Sequence, residues 1–456
     1  MYLKLDSCGF DWMAAILICE GKPASFITFI NMKLIVQISL FGIALMTNIP
    51  IALSQQPVKV EIRKTNEGYE LLRAGKPYFV NGAGGTSKME RLKANGGNSI
   101  RTWSTSGGAA LLDKAEKLGL TVTLGLDVAR ERHGFNYDDA EAVKKQLQNL
   151  REQVRKFKDH PALLAWGIGN ELNLDYKNPK VWDAVNDIAK MIHEEDPNHL
   201  ATTMLAGFGK RELDYIKAKC PALDFISVQV YGDLADVPAR LKTFDYAGAY
   251  LVTEWGPTGH WECPTTPWGA SIEEISSRKA AVYKSRYEAS IKTDKNCLGS
   301  YVFLWGQKQE RTPTWYGLFT EQGEESEVVD VMHYLWTGKW PVERAPHLTA
   351  FTLDGKKASD GIYLSPSKSY TANVVVTDAN NDKLETRWEV LAEATELSQG
   401  GDHENRPRSI AGLVKGLSFD NATFTSPDRP GNYRLFVYVS DGKNKVATAN
   451  IPFCVR

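Results

Sequence analysis

An apolar run over residues 163–168, Leu-Leu-Ala-Trp-Gly-Ile, ends abruptly in Gly169-Asn170-Glu171. No apolar–polar alternation interrupts it, which is how a strand buried on both faces of a parallel sheet reads. A carboxylate on the last residue of such a strand sits at the mouth of an α/β barrel, where the loops after the strands gather. A second run, Ala249-Tyr250-Leu251-Val252-Thr253, ends the same way in Glu254-Trp255-Gly256. Two glutamates, each closing an apolar strand, predict a pair of acids facing one substrate.

Strand and helix patterns alternate around these two runs. Strands are predicted at 78–82, 99–103, 121–126, 163–171, 200–205, 225–230, 249–254 and 298–305, the last ending at Trp305. Helical spacing fills the gaps, clearest over 138–158, where Ala140, Val143, Leu147, Leu150, Val154 and Phe157 recur on one face. This order predicts an α/β fold, a (β/α)8 barrel over 57–342, preceded by a small hairpin from 58 to 73. Gly82-Ala83-Gly84-Gly85 lacks the spacing and downstream acid of a dinucleotide fingerprint, so no nucleotide cofactor is expected.

After Trp340-Pro341-Val342 the pattern changes to short β runs separated by turns, with Ser440-Asp441-Gly442-Lys443 a hairpin signal. An immunoglobulin-like β-sandwich is expected over 343–456. Trp388 is assigned to its core and Tyr433 to a strand corner. The polar loop 396–408 is long enough to lean on the barrel mouth, but solvation is the favoured expectation.

Residues 1–56 read as a leader. Met32-Lys33, an apolar stretch to Met46 and the small residues Ala52-Leu53-Ser54 match a secretory signal peptide over about 32–54. Translation from Met32, and a secreted or periplasmic protein with no membrane contact after leader removal, are the expectation. Cys220, Cys263, Cys297 and Cys454 remain in the mature chain without metal-ligand spacing, and are read as four buried thiols. The net charge of −1 gives no reason to expect nucleic acid as a partner. No metal or cofactor is expected, and the chain is read as a monomer.

Two carboxyl groups about 5–5.5 Å apart carry out glycoside hydrolysis with retention, one as nucleophile, the other as acid and then base. Asn170-Glu171 and Thr253-Glu254-Trp255-Gly256 resemble the acid/base and nucleophile motifs of glycoside hydrolase clan A. That resemblance implies retaining, metal-independent chemistry with Glu171 as acid/base and Glu254 as nucleophile. It further implies that Asn170 binds the sugar 2-hydroxyl, Arg101 pairs with the nucleophile, Tyr231 hydrogen-bonds it, and Trp305 floors the subsite for the cleaved sugar. A cation beside Glu254 favours its ionised form. His260 and Trp261, on the loop after Glu254, together with Trp103 and Gln307, are candidate sugar contacts. Asp127, Arg130 and Glu131 are polar rim residues.

Leader, barrel and sandwich together look like glycoside hydrolase family 158, which contains endo-β-1,3-glucanases. The barrel alone is similar to the catalytic domain of family 2 enzymes, without the amino-terminal sandwich domains usual there. The expected substrate is a β-linked oligo- or polysaccharide, with β-1,3-glucan favoured and endo cleavage. The alternatives are an exo-β-glycosidase of the β-galactosidase/β-mannosidase type and a β-glucanosyltransferase.

Overall fold

The computed structural model describes residues 56–456. The leader reading over 1–56 falls, but for its last residue, outside the described residues. The first described elements are three short antiparallel strands, β1 (Val60–Lys64), β2 (Tyr69–Arg73) and β3 (Lys76–Pro77). Val60, Leu71 and Tyr301 belong to one buried cluster with Leu164, Leu251 and Leu298, so the hairpin packs on the barrel strands.

Eight parallel strands then close a barrel: β4 (Val80–Gly84), β5 (Ser99–Arg101), β6 (Thr121–Leu126), β7 (Leu163–Asn170), β8 (Leu200–Ala206), β9 (Phe225–Gln229), β10 (Tyr250–Trp255) and β11 (Cys297–Val302). Each pairs with its neighbours in sequence, and β11 returns to β4, so no edge is left open. Every residue of β6, β7, β9, β10 and β11 is buried, which is why these strands read as unbroken apolar runs.

Helices α1 (Met89–Ala94), α2 (Gly108–Leu118), α3 (Ala140–Phe157), α4 (Lys180–Glu195), α5 (Lys210–Lys219), α6 (Val237–Thr243), α7 (Ser276–Arg286) and α8 (Glu327–Thr337) cover the strands. The Asp139 side chain caps α3 by accepting from the Ala142 N–H at 3.0 Å. Leu150, Val154 and Phe157, spaced for one helical face, are buried against the barrel.

The remaining strands are β12 (Glu325–Ser326), β13 (His347–Leu353), β14 (Ile362–Leu364), β15 (Ser369–Thr377), β16 (Glu385–Ala392), β17 (Val414–Gly416), β18 (Asn421–Thr425), β19 (Gly431–Ser440) and β20 (Lys445–Val455). One sheet runs β12-β20-β19-β16, with β14 also on β20; the other runs β13-β15-β18-β17. Leu348, Phe351, Phe424, Leu435, Val437 and Phe453 fill the space between them. Trp388 packs against this core half-buried, and the Tyr433 hydroxyl donates to the Arg429 carbonyl at 3.0 Å, a corner contact.

Two structural expectations are corrected. The last barrel strand ends at Val302, not Trp305. Of the four cysteines, Cys220 and Cys297 are buried, but Cys263 and Cys454 are half-buried; all four are free thiols.

Sandwich and barrel share buried polar groups. Strand β12, just before α8, pairs in parallel with β20. Lys279 of α7 donates to Glu273 at 2.5 Å and to the carbonyls of Thr314 and Trp315 at 2.7 and 2.9 Å. Asn450 of β20 donates to the same Glu273 carboxylate at 2.5 Å. Burial alone pushes the Glu273 carboxyl up, but Lys279, Thr312 and Arg434 together hold the group below its ordinary range. Lys279→Met would strand that carboxylate without its cation, at a cost of about 3–5 kcal/mol. A fall of that size in the unfolding free energy from urea titration is the expected outcome; an unchanged urea midpoint would show that the network does not carry the junction.

Candidate active site

Consecutive residues of a regular strand point to opposite faces. Asn170 and Glu171 escape that rule because β7 is irregular at its end. Its register with β8 shifts between Ile168 and Asn170, and Gly169 has φ +69°. Glu171 itself has φ +55°, a left-handed backbone that costs a non-glycine residue about 1–3 kcal/mol. The backbone holds it there: the Glu171 N–H donates to the Met204 carbonyl at 2.9 Å, and the Leu174 N–H to the Glu171 carbonyl at 3.1 Å.

Arg101, at the end of β5, is fully buried in the barrel. Its guanidinium donates to Glu254 Oε2 at 3.0 Å, to the Thr253 carbonyl at 2.9 Å and to Asn170 Oδ1. Tyr231 donates to the other Glu254 oxygen, Oε1, at 2.8 Å. Both oxygens of Glu254 are therefore held by donors from different strands' ends. Such a carboxylate is oriented and stabilised as an anion.

Glu171 is placed differently. Gln229, the last residue of β9, donates its amide to Glu171 Oε1 at 2.7 Å and accepts from Arg101 at 2.8 and 3.0 Å, in the orientation that satisfies both ends of the amide. Oε2 of Glu171 is buried with no hydrogen-bond partner in the protein. Burial, and then the neighbouring Glu254 charge, push the Glu171 carboxyl up to about 7, against Arg101, Arg132 and Arg130. One acid is fixed by donors at both oxygens, and its neighbour is placed to hold a proton near neutral pH. That division of labour between two carboxyl groups is what acid-assisted displacement requires.

Glu171 and Glu254 line one cavity of about 700 Å3 with Gln229, Tyr231, His260, Trp261, Phe303 and Glu310. His260 Nε2 lies 3.5 Å from Glu310 Oε1, and the Trp261 ring meets Tyr231 edge-on at 5.4 Å. Asn170 is buried and sits behind the two acids on Arg101. Trp103 does not line the cavity; it lies under Arg101, 5.0 Å from the guanidinium, and against Phe303. Gln307 also lies off it, donating to the Pro313 carbonyl at 3.2 Å.

Trp305 is corrected outright. Because β11 stops at Val302, the chain has already turned when it reaches Trp305, whose N–H donates to the Gly84 carbonyl. The indole is buried against Phe319 and Trp336 and donates to the Lys88 carbonyl at 3.2 Å. Phe303 takes the place at the cavity wall instead.

The rim arginine Arg130 donates to the Asn170 carbonyl at 2.9 Å, and Glu131 accepts from the N–H groups of Lys177 and Asn178. Asp127 is exposed and does not line the cavity. One contribution was not foreseen from the sequence, and another was weighed there but not favoured. Gln229 carried a signal, being a polar residue at the end of an apolar strand like Glu171 and Glu254. The second is the loop 396–408, which is not merely solvated: residues 397–401 line the cavity.

Residues 98–297 match the model of the glycosyl hydrolases family 2 TIM barrel domain. An Arabidopsis thaliana protein named, by inference, mannan endo-1,4-beta-mannosidase 4 is 32% identical over 80 residues, 16% of this chain and 20% of that protein. Among solved structures, Bacteroides uniformis beta-glucuronidase 2, covalently bound to cyclophellitol-6-carboxylate aziridine, is similar at TM-score 0.50 and 16% identity, over 87% of this chain and 48% of that one. A Ruminococcus gnavus beta-glucuronidase in complex with uronic deoxynojirimycin gives TM-score 0.49 at 15% identity, over 61% and 52%. The chain thus spans about half the length of the solved structures it matches, and a fifth of the plant relative.

The Glu171 environment sets a pH test. In the unfolded chain a glutamate titrates near its ordinary value of 4.5, in the fold near 7. Its contribution to stability is complete below pH 4.5 and is lost as pH rises through 7. Glu171→Gln, which cannot ionise, should therefore gain stability relative to wild type between those limits, and hold the gain above them. Thermal melts at pH 5 and pH 8 check this; a gap that closes at pH 8 would refute the buried-acid description. Over residues 98–297, then, the barrel is similar to the TIM barrel domain of the glycosyl hydrolases family 2, which supports a glycoside hydrolase.

Proposed function

We propose that this protein is a retaining exo-β-glycosidase of the β-galactosidase/β-mannosidase type, removing one uncharged sugar from the end of a β-linked glycoside. The observation that carries this reading is the unequal pair: Glu254 held by Arg101 and Tyr231, Glu171 kept dry with one free oxygen, both in one cavity. Glu254 attacks the anomeric carbon while Glu171 passes its proton to the departing glycosidic oxygen. A glycosyl ester forms on Glu254, whose negative charge disappears, so Glu171 ionises more easily and can take a proton from the attacking water.

The exo reading is supported by the shape of the site. At about 700 Å3 the cavity has the size of a small-ligand pocket, roughly 300–1,000 Å3, rather than a trough for an internal stretch of glucan. Residues of the sandwich wall it on one side. The endo-β-1,3-glucanase reading becomes the second choice for that reason, and the family 2 match weighs the same way.

Charge supports an uncharged sugar. The cavity is lined by Glu171, Asp175, Asp233, Glu254, Glu262 and Glu310, against one cation, Arg311. Arg311 is already occupied by Glu404, at 2.7 Å from its guanidinium and 2.6 Å from its N–H. A sugar carboxylate would meet repulsion without a free partner among these residues. Secretion to the periplasm or beyond, as a monomer, completes the proposal and rests on the leader alone.

A panel of p-nitrophenyl β-glycosides tests the activity. Neutral hexosides should be hydrolysed with retention, read by NMR of the first-formed product, and the β-glucuronide about 100-fold more slowly or worse, each tenfold being about 1.4 kcal/mol. Laminarin giving mixed oligosaccharides rather than glucose would overturn the exo reading. Glu254→Gln should lower kcat by at least about 10⁴-fold while leaving sugar affinity in place; unaltered turnover would sink the nucleophile assignment.

A further inference from the structure

The second domain reaches into the site. Residues 397–401, on the connection between β16 and β17 of the sandwich, line the cavity that holds Glu171 and Glu254. Gly400 comes so close to the acid that a Cβ built on it would lie 3.0 Å from Glu171 Oε2, and 2.8 Å from both Arg132 and Leu174. Its φ of +57° is a left-handed backbone that suits glycine. The oxygen it faces is the one with no hydrogen-bond partner in the protein.

The loop is tied down on both sides of that contact. Asp402 accepts from Arg132 at 2.8 Å and sits 3.2 Å from His133, both on the barrel loop after β6. Lys308 donates to the Gly401 carbonyl at 2.7 Å. Arg311 binds Glu404 through side chain and backbone, and Glu404 in turn accepts from the Ser398 N–H and hydroxyl at 3.0 and 3.1 Å. Glu404 is buried, though the loop around it is exposed. A solvated connection does not carry this many fixed partners on two barrel loops. At the rim, Leu397 of the loop and Trp261 of the barrel, 59% and 57% exposed, offer apolar faces to whatever departs from the cleaved sugar.

We propose that residues 397–404 of the β-sandwich are part of the active site, closing one end of the cleft and shielding Oε2 of Glu171 from bulk water. The loop is a positioning element: it acts through Glu171 and supplies no reacting group. The inference rests on Glu171 being the general acid. The charged groups around that carboxyl are Glu254 from β10, Arg101 from β5, and Arg130 and Arg132 from the loop after β6. The sandwich contributes Asp402 only through its pairing with Arg132.

Two variants open the wall without touching a group that meets the substrate. Asp402→Ala cuts the tie to Arg132, and at 45% side-chain exposure it leaves the core alone. Gly400→Ala, also at an exposed position, sets a methyl group against Glu171, Arg132 and Leu174 and strains the backbone at φ +57°, so the close contact must give. Each is assayed on two β-glycosides of one sugar, a 2,4-dinitrophenyl glycoside, whose leaving group departs without a proton, and a methyl glycoside, which needs one. The methyl glycoside should lose at least about tenfold in kcat/KM, a fraction of what general acid catalysis supplies. The dinitrophenyl glycoside should change by less than about threefold, and the alkaline limb of the pH profile should move down as water reaches the carboxyl. Equal losses on both substrates, or none on either, would overturn the proposal. Glu171→Gln separates the layers: if it spares the methyl glycoside, the acid assignment falls; if it abolishes that turnover while both loop variants match wild type, only the role of the loop falls.

Discussion

A single buried cation organises the barrel mouth. Arg101 is shut away from solvent, and the desolvation of a guanidinium costs several kcal/mol unless its donors are satisfied by fixed acceptors. Here the two terminal nitrogens find Glu254, the Thr253 carbonyl and Asn170, with Nε alone left unpartnered, so one side chain on β5 fixes the ends of β7 and β10 together. Removing it would leave Glu254 as an uncompensated buried charge, a loss of about 3–5 kcal/mol. The same field reaches Glu171, whose proton affinity reflects burial and Glu254 on one side and three arginines on the other. The position of every group in the cavity answers to this balance.

The second domain belongs to that balance. Lys445 on β20 pairs with Asp330 of α8 at 2.5 Å and with Glu325 at 2.8 Å, and Arg434 on β19 pairs with Glu393 at 2.8 Å. Arg434 also donates to the Ser271 carbonyl at 2.5 Å, on the barrel loop that carries His260 and Trp261 toward the cavity. Buried polar networks of this kind specify one arrangement because any slip leaves charges without partners. A sandwich fixed so firmly can hold a loop at the barrel mouth with the accuracy a pocket needs.

Within one chain, the reading of the sequence succeeded where chemistry repeats along the backbone. The apolar runs of β6, β7 and β10 are continuous because both faces are covered, and the apolar stripe of α3 recurs at helical spacing because one face is. Glu171, Glu254, Arg101 and Tyr231 were legible for the same reason: each lies within two residues of the end of a barrel strand, and strand ends of a closed barrel converge. Trp305 was misplaced because an apolar run does not announce where the sheet stops pairing. Three residues of overrun separate Val302 from Trp305, and the wall position falls to Phe303.

The sequence by itself determined the strand–helix alternation, the two acids and the sandwich, since these follow from periodicities of two to four residues and from residues at strand ends. Tertiary structure alone decided that Gln229 would bridge Glu171 and Arg101, that Glu171 would keep one oxygen dry, and that Gly400 would lie against it. Glu171 and Gly400 are far apart in the chain, and nothing local to either encodes the other. Their contact exists because Arg132, Lys308 and Arg311 on the barrel find Asp402, the Gly401 carbonyl and Glu404 on the sandwich, a complementarity between surfaces that only the folded molecule brings together.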